Sequence, residues 1–187
     1  MTALAAAEGL SALPATIATP RLLLRPPTLD DAQAVFDRWA SDPDTARYLT
    51  WIPATDVAET VAFLRTVVTA WHGTQRRVWH LTLHGDDTPI GALDAGLDAH
   101  GVELGYVLGR AWWGQRLMPE AVGALAPMLL ALPQVHRVSA YCDVENVASA
   151  KVMERVGMLR EGLLRKYAVH PNVGPEPRDC YLYAVVR

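Results

Sequence analysis

From Thr19 to Arg25 the chain is a short apolar run closed by Pro26-Pro27, which predicts a first strand. Thr28, with Asp31 three residues on, forms a capping pair, and Ala32, Val35, Phe36 and Trp39 follow at helical spacing. Ser41 to Asp44 reads as loop. A second helix starts near Asp56 with Glu59 as its capping partner. It carries the stripe Val57, Val61, Leu64, Val68 and Trp71 and ends at Gly73. Period two then takes over. Val78 to Leu83, Pro89 to Leu97 and Val102 to Leu108 read as three strands, joined by turns at 85–87 and 98–101 tight enough to make antiparallel neighbours.

The period changes again after Leu108. Gly109 to Leu117 reads as loop, and Pro119 suits the first turn of a helix. That helix carries Ala121, Leu125, Met128 and Leu132 on one face, with a kink expected at Pro127. A strand at Val138–Cys142 and a helix at Ala148–Val156, capped by Gly157, come next. Two last strands, Leu159–Val169 and Cys180–Val186, flank a loop from His170 to Asp179 that holds three prolines. Residues 1–18, rich in Ala and Leu but without a basic start, read as a flexible or loosely docked tail rather than a signal peptide. One mixed α/β domain over 19–187 is the economical reading.

Composition narrows the function classes. A net charge of -3 leaves no global basic field for nucleic acid or an anionic membrane. No segment reaches the roughly 20 apolar residues of a membrane helix. The two cysteines, Cys142 and Cys180, are too few for a disulfide framework or a zinc site and read as buried thiols in the cytoplasm. His80 and His84 share a strand face, but no acidic or thiol partner has matching spacing, so no metal is expected.

Two segments carry candidate chemistry. Glu103 to Ala121 is a strand, a loop (Trp112-Trp113-Gly114-Gln115-Arg116-Leu117-Met118-Pro119) and a helix start. Such a junction aims unpaired backbone N–H groups and a helix dipole at one spot, which suits a pyrophosphate. The second segment, Val144 to Met158, contains Glu145-Asn146-Val147-Ala148-Ser149 and, further on, Gly157-Met158. It resembles the E-N-x-x-S…G-F signature of GNAT acetyltransferases, in the branch that holds the ribosomal-protein N-terminal acetyltransferases. Thr19-Pro20-Arg21-Leu22-Leu23-Leu24-Arg25-Pro26 and Arg160-Glu161-Gly162-Leu163-Leu164-Arg165 resemble that branch too. The likeness runs from Thr19 to the C-terminus.

The resemblance implies a GNAT fold: one mixed, mostly antiparallel sheet flanked by about four helices and splayed between its fourth and fifth strands. Acetyl-CoA would lie in the splay. Its pantetheine arm would pair with Tyr106, Val107 and Leu108, its pyrophosphate would rest on Trp113 to Pro119, and Asn146 would bond the pantetheine amides. The family loop resembles Q/R-G-x-G-x-G/A. Here Gly114 is retained, while Arg116 replaces the second glycine and Met118 the last small residue. Arg116 either blocks the backbone's approach to the pyrophosphate or pairs with a phosphate.

For the reaction, Glu103 is the first candidate base and otherwise reads as a solvated strand glutamate; Glu161 is the second and reads more simply as a surface charge. The family's usual tyrosine acid is replaced by Met153, and the role passes to Ser149, which otherwise reads as a helix-start serine. The N–H near Val107 would hold the oxyanion. Trp112-Trp113 either walls a cleft or packs the core. The implied activity is acetyl transfer to a primary amine, a peptide or protein N-terminus by resemblance, with a small-molecule amine such as an antibiotic or polyamine as the alternative. A longer acyl-CoA donor, or a non-catalytic binding module with a degraded cofactor loop, completes the set. Monomer and homodimer both remain open.

Overall fold

In the computed structural model, which describes residues 9–99 and 101–187, the alternating segments build one eight-stranded sheet. In chain order the strands are β1 (Ile17–Ala18), β2 (Leu22–Arg25), β3 (Arg76–Leu83), β4 (Asp86–Leu97), β5 (Gly101–Leu108), β6 (Arg137–Asp143), β7 (Leu159–Val169) and β8 (Pro177–Val186). Their spatial order is β1-β2-β3-β4-β5-β6-β8-β7. Every neighbouring pair is antiparallel except β5 with β6. Among the described residues five α-helices flank the sheet: α1 (Ala32–Val35), α2 (Pro43–Ala46), α3 (Val57–Ala70), α4 (Leu117–Leu130) and α5 (Val147–Arg155). The mixed, mostly antiparallel architecture is the one anticipated.

The larger core sets Trp79, Leu81, Leu93, Val102 and Leu104 of the sheet with Leu117, Ala121, Val122, Leu125 and Leu129 of α4. A smaller one joins Val35, Trp39 and Leu64 with Ala92 and Val107 packed against them. α4 continues past Pro127 to Leu130, with Pro127 on its exposed side, where water can satisfy a freed carbonyl.

Several boundaries differ from the sequence reading. The expected loop at 41–44 contains the start of α2, with Asp42 capping the Asp44 N–H at 3.1 Å. The loop after Val169 is shorter than expected, because β8 already begins at Pro177, a tolerated first position. Residues 1–8 lie outside the described residues. Residues 9–18, counted with the tail, dock on the sheet: Leu10, Leu13 and Ile17 are buried, and the Arg77 and Trp79 side chains donate to the carbonyls of Leu13 and Ala15 at 2.9 and 3.1 Å. Their apolar spacing covers β3 beside Trp71.

At the far edge β7 is unusually open, with Leu159 75%, Leu163 50% and Tyr167 50% exposed. Its pairing with β8 slips twice, between Arg160 and Gly162 and between Leu164 and Ala168. Lys166 inside the second slip has φ 49°.

One buried ionic cluster locks the first helix to the sheet. Asp31 accepts from Arg25 at 2.7 and 2.9 Å, from the Thr28 N–H at 2.8 Å, and lies 2.8 Å from His80 Nδ1. Burial opposes its ionisation, but the bonds from Arg25, His80 and Thr28 prevail and hold the carboxyl well below its ordinary value. The resulting stabilisation is complete above the unfolded value of 3.8 and fades as the pH falls below it. Asp31→Ala is therefore expected to cost about 3 kcal/mol at neutral pH. The gap from the native chain should narrow in urea titrations repeated at about pH 3.

Candidate active site

β5 and β6 touch over only three residue pairs, Gly101–Glu103 against Arg137–Ser139. β4 stays paired with β5 as far as Leu108, and β8 stays paired with β6 as far as Asp143. Beyond Glu103, β5 therefore presents main-chain polar groups to a gap with no strand partner. The gap opens into a cleft of about 1050 Å³, bordered by 103–108, the start of α4, Tyr141, Cys142 and the first turns of α5. Tyr106 spans it: its hydroxyl lies 2.8 Å from Ser149 Oγ and donates to the Ser149 carbonyl at 3.2 Å.

The loop into α4 has glycine-like geometry at both anticipated positions. Gly114 has φ 75°, and Arg116, the residue before the helix, has φ 60° and ψ 23°. An arginine thus holds the left-handed conformation at a cost of about 1 kcal/mol or more. No side chain caps α4, so its first amides stay available. Met118 does not cross the loop; with Leu117 it packs into the core, 4% and 2% exposed.

The loop is braced from behind. Arg21 donates to the carbonyls of Gln115 at 2.9 Å and Arg116 at 3.4 Å, and its Nε donates to Glu120 at 2.6 Å. Glu120 also accepts from the Arg21 N–H at 2.8 Å and from the Thr19 hydroxyl at 2.5 Å. With those carbonyls turned toward Arg21, the loop is fixed to the edge of the sheet. The Trp113 indole N–H donates to the Leu108 carbonyl at 2.6 Å and closes the end of β5. Gln115 folds back on the Ala111 carbonyl at 3.1 Å and, unlike the other anticipated loop residues, does not border the cleft.

At the second helix start, Asn146 Oδ1 accepts from the Ser149 N–H at 3.1 Å, the capping use of that side chain. Asp143 accepts from the Glu145 N–H at 2.9 Å and from Arg178 Nε at 2.5 Å, and Arg178 also reaches Glu145 at 3.0 Å. This set fixes the turn that presents Ser149. Met153 is fully buried and supplies no proton at the place of the family's tyrosine on α5. The phenol of Tyr106 is nearby instead. Burial raises its pKa more than the bond to Ser149 lowers it, so it stays protonated. The Cys142 thiol is pushed up to about 11 by burial and then by Cys180, which keeps it from acting as a thiolate.

Glu103 sits where the strands part, with one flank open to solvent. Desolvation of the other flank, then Asp98 and Asp94, raise its carboxyl above the ordinary value, against the pull of Arg76. Glu161 stands elsewhere. It is tied to Arg137 at 2.6 Å on β7 and borders neither cavity, because its strand lies beyond β8. His80 is taken up by Asp31, and His84 Nε2 lies 2.7 Å from the Thr19 carbonyl. Among the described residues no group of three His, Cys, Asp or Glu is placed to hold a metal.

A second cavity of about 420 Å³ lies between α3, the turn that carries Trp39, the 49–54 loop and the sheet. Gly105, Tyr106 and Val107 border both spaces, so β5 is the wall between them. The sequence reading did not anticipate the brace from Arg21, whose partners lie 94 to 99 residues away. It also missed Lys151 and Arg155, which border the cleft four residues apart on α5; that spacing was a readable signal.

Residues 21–159 match the family model described as acetyltransferase (GNAT) domain. The uncharacterized N-acetyltransferase p20 of Bacillus licheniformis is 30% identical over 155 residues, covering 81% of this chain and 86% of its own. A GNAT-family acetyltransferase from Bacillus anthracis, solved by crystallography, is 28% identical, with a TM-score of 0.79 over 91% of this chain and 98% of that one. RimL, a ribosomal L7/L12 alpha-N-protein acetyltransferase solved in complex with coenzyme A, shares the fold at 19% identity. Its TM-score is 0.79, over 91% of this chain and 97% of its own. The chain belongs to the GNAT acetyltransferase family.

The two left-handed loop positions predict opposite responses. Gly114→Ala should lose about 1 kcal/mol, since any Cβ is strained at that φ. Arg116→Gly should gain about 0.5 kcal/mol, the relief of strain exceeding the extra chain entropy of glycine. Urea unfolding of both variants measures the difference.

Proposed function

We propose that the chain transfers an acetyl group from acetyl-CoA to a primary amine. The observation that carries this reading is the shared wall: Gly105–Val107 of β5 face a long cleft on one side and a compact cavity on the other. A thioester laid against the unpaired edge of β5 would meet an amine arriving through that wall. The cleft suits the donor, with the start of α4 and the basic residues Arg116, Lys151 and Arg155 along it. RimL, solved in complex with coenzyme A, has the same fold.

Glu103 takes a proton from the incoming ammonium, through water where the acceptor lies out of reach, and its raised carboxyl pKa suits a base. The neutral nitrogen attacks the thioester carbon. A main-chain N–H of the unpaired stretch of β5 stabilises the oxyanion. As the C–N bond forms and the C–S bond breaks, Ser149 passes its proton to the leaving sulfur and regains one from water, while the Tyr106 phenol 2.8 Å away holds the serine hydroxyl in place. Asn146 and the backbone of Tyr106 to Leu108 position the pantetheine arm.

The non-catalytic alternative rests on Arg116 and Met118. Arg116 keeps a glycine's backbone conformation and Met118 packs largely into the core, which favours a loop that still accepts the donor. For the acceptor, the likeness to RimL favours a protein N-terminus, whereas the compact cavity favours a small amine.

Acetyl-CoA-dependent thiol release with a primary amine tests the reading; no release with any amine would defeat it. Ser149→Ala is expected to lower kcat by about a hundredfold while the KM for acetyl-CoA holds. In the native chain kcat/KM should rise with pH as Glu103 ionises, and Glu103→Gln should remove that acid limb along with most of the rate.

A further inference from the structure

We infer that the 420 Å³ cavity selects an amine carried on a bulky apolar or aromatic group, in preference to one carried on a methyl or hydroxymethyl group. The inference rests on the acetyltransfer reading and specifies its acceptor. The walls are the first argument. Trp39 closes the inner end, Phe63 and Val67 of α3 form one side, and Trp51 and Ile52 of the loop form the mouth. Phe63 is 60% exposed, Ile52 72% and Trp51 36%. Large apolar side chains left wet around a concavity gain most from a ligand that is itself apolar. The aromatic side chains of Trp39, Trp51 and Phe63 in one lining also suit a flat group. A small first residue such as alanine or serine would leave most of this surface hydrated.

The mouth is also held in place. Asn172 donates its side-chain amide to the carbonyls of Ala46 at 2.7 Å and Trp51 at 2.8 Å. The loop that brings Trp51 to the cavity is thereby tied to the segment after β7, and binding need not order it first.

Charge sets the other end of the acceptor. Asp94 borders both cavities and Glu103 borders the cleft at the same strand wall. Arg76 is the cation paired with Asp94 there. A second carboxylate, Glu103, remains to attract an ammonium. Thr60, 3% exposed and part of the lining, has a hydroxyl with no hydrogen-bond partner. It leaves room for one polar group on an otherwise apolar ligand. The chemistry is therefore a primary amine close to an apolar or aromatic body, whether a free arylalkylamine or a peptide that begins with such a residue.

The test uses the full chain with saturating acetyl-CoA and a thiol-release readout. The acceptors are glycine, alanine, leucine and phenylalanine amides, phenethylamine, and pentapeptides beginning with alanine or phenylalanine. Leucine- and phenylalanine-type acceptors are expected to exceed the alanine and glycine ones in kcat/KM by about tenfold or more. Phe63→Ala and Trp51→Ala, both at exposed positions, should cut that preference about tenfold while calorimetry shows acetyl-CoA affinity held. Selection among pentapeptides alone would identify a peptide acceptor; selection among free amines alone would identify a small molecule. Equal or better use of alanine and glycine acceptors, or an aromatic preference that survives both variants, would overturn the inference and leave acetyltransfer standing. Absence of thiol release with every amine, despite acetyl-CoA binding, would overturn both.

Discussion

The short parallel contact between β5 and β6 governs the rest of the molecule. Gly101 sits in it, and a Cβ there would run into the backbone and side chain of Arg137, so the strands can meet only because that position is bare. At the other end of β5, Tyr106 stands across the gap to Ser149 and props it open. A glycine at the closed end and a tyrosine at the open end turn two parallel strands into a wedge. The wedge exposes a row of main-chain groups that a continuous sheet would consume. Both cavities, and the chemistry proposed between them, follow from it.

Two helices deliver their N-terminal ends to this wedge, and each is held from behind by an arginine and carboxylates. Arg21 with Glu120 fixes the loop before α4. Arg178 with Asp143 and Glu145 fixes the turn before α5. At α4 no side chain caps the first turn, so its amides are left for other partners, whereas at α5 Asn146 takes the Ser149 N–H. The arrangement also accounts for an arginine at a left-handed position. With Arg21 holding the Gln115 and Arg116 carbonyls, the local strain is carried by tertiary contacts.

The order of elements, the change from period two to helical period and the junctions at Glu103–Ala121 and Val144–Met158 were legible because each is written in consecutive residues. Tyr106, Ser149 and Glu103 were placed in one region by the family resemblance, and the fold brings them to one cleft. Contacts between distant segments were not legible. Nothing beside Arg21 in the chain announces Glu120, and Glu161 stood as second candidate behind Glu103 with nothing in its neighbours to show that strand order puts it away from the cleft. Leu10, Leu13 and Ile17 were read as tail because so short and scattered an apolar run shows its purpose only against Trp71 and Trp79.

The open outer strand β7 has a consequence for how copies of this chain meet one another in concentrated solution. A free edge of eleven residues bearing leucines and a tyrosine is a template on which another sheet could grow. Two slips in register break the repeat that such growth needs, and Lys166 turns its backbone out of the strand while its N–H is retained by Asp179 at 2.8 Å. Arg160, Arg165 and Lys166 add like charge along the same border. The edge can therefore carry exposed apolar side chains without seeding fibres, because its backbone offers no uninterrupted line to copy.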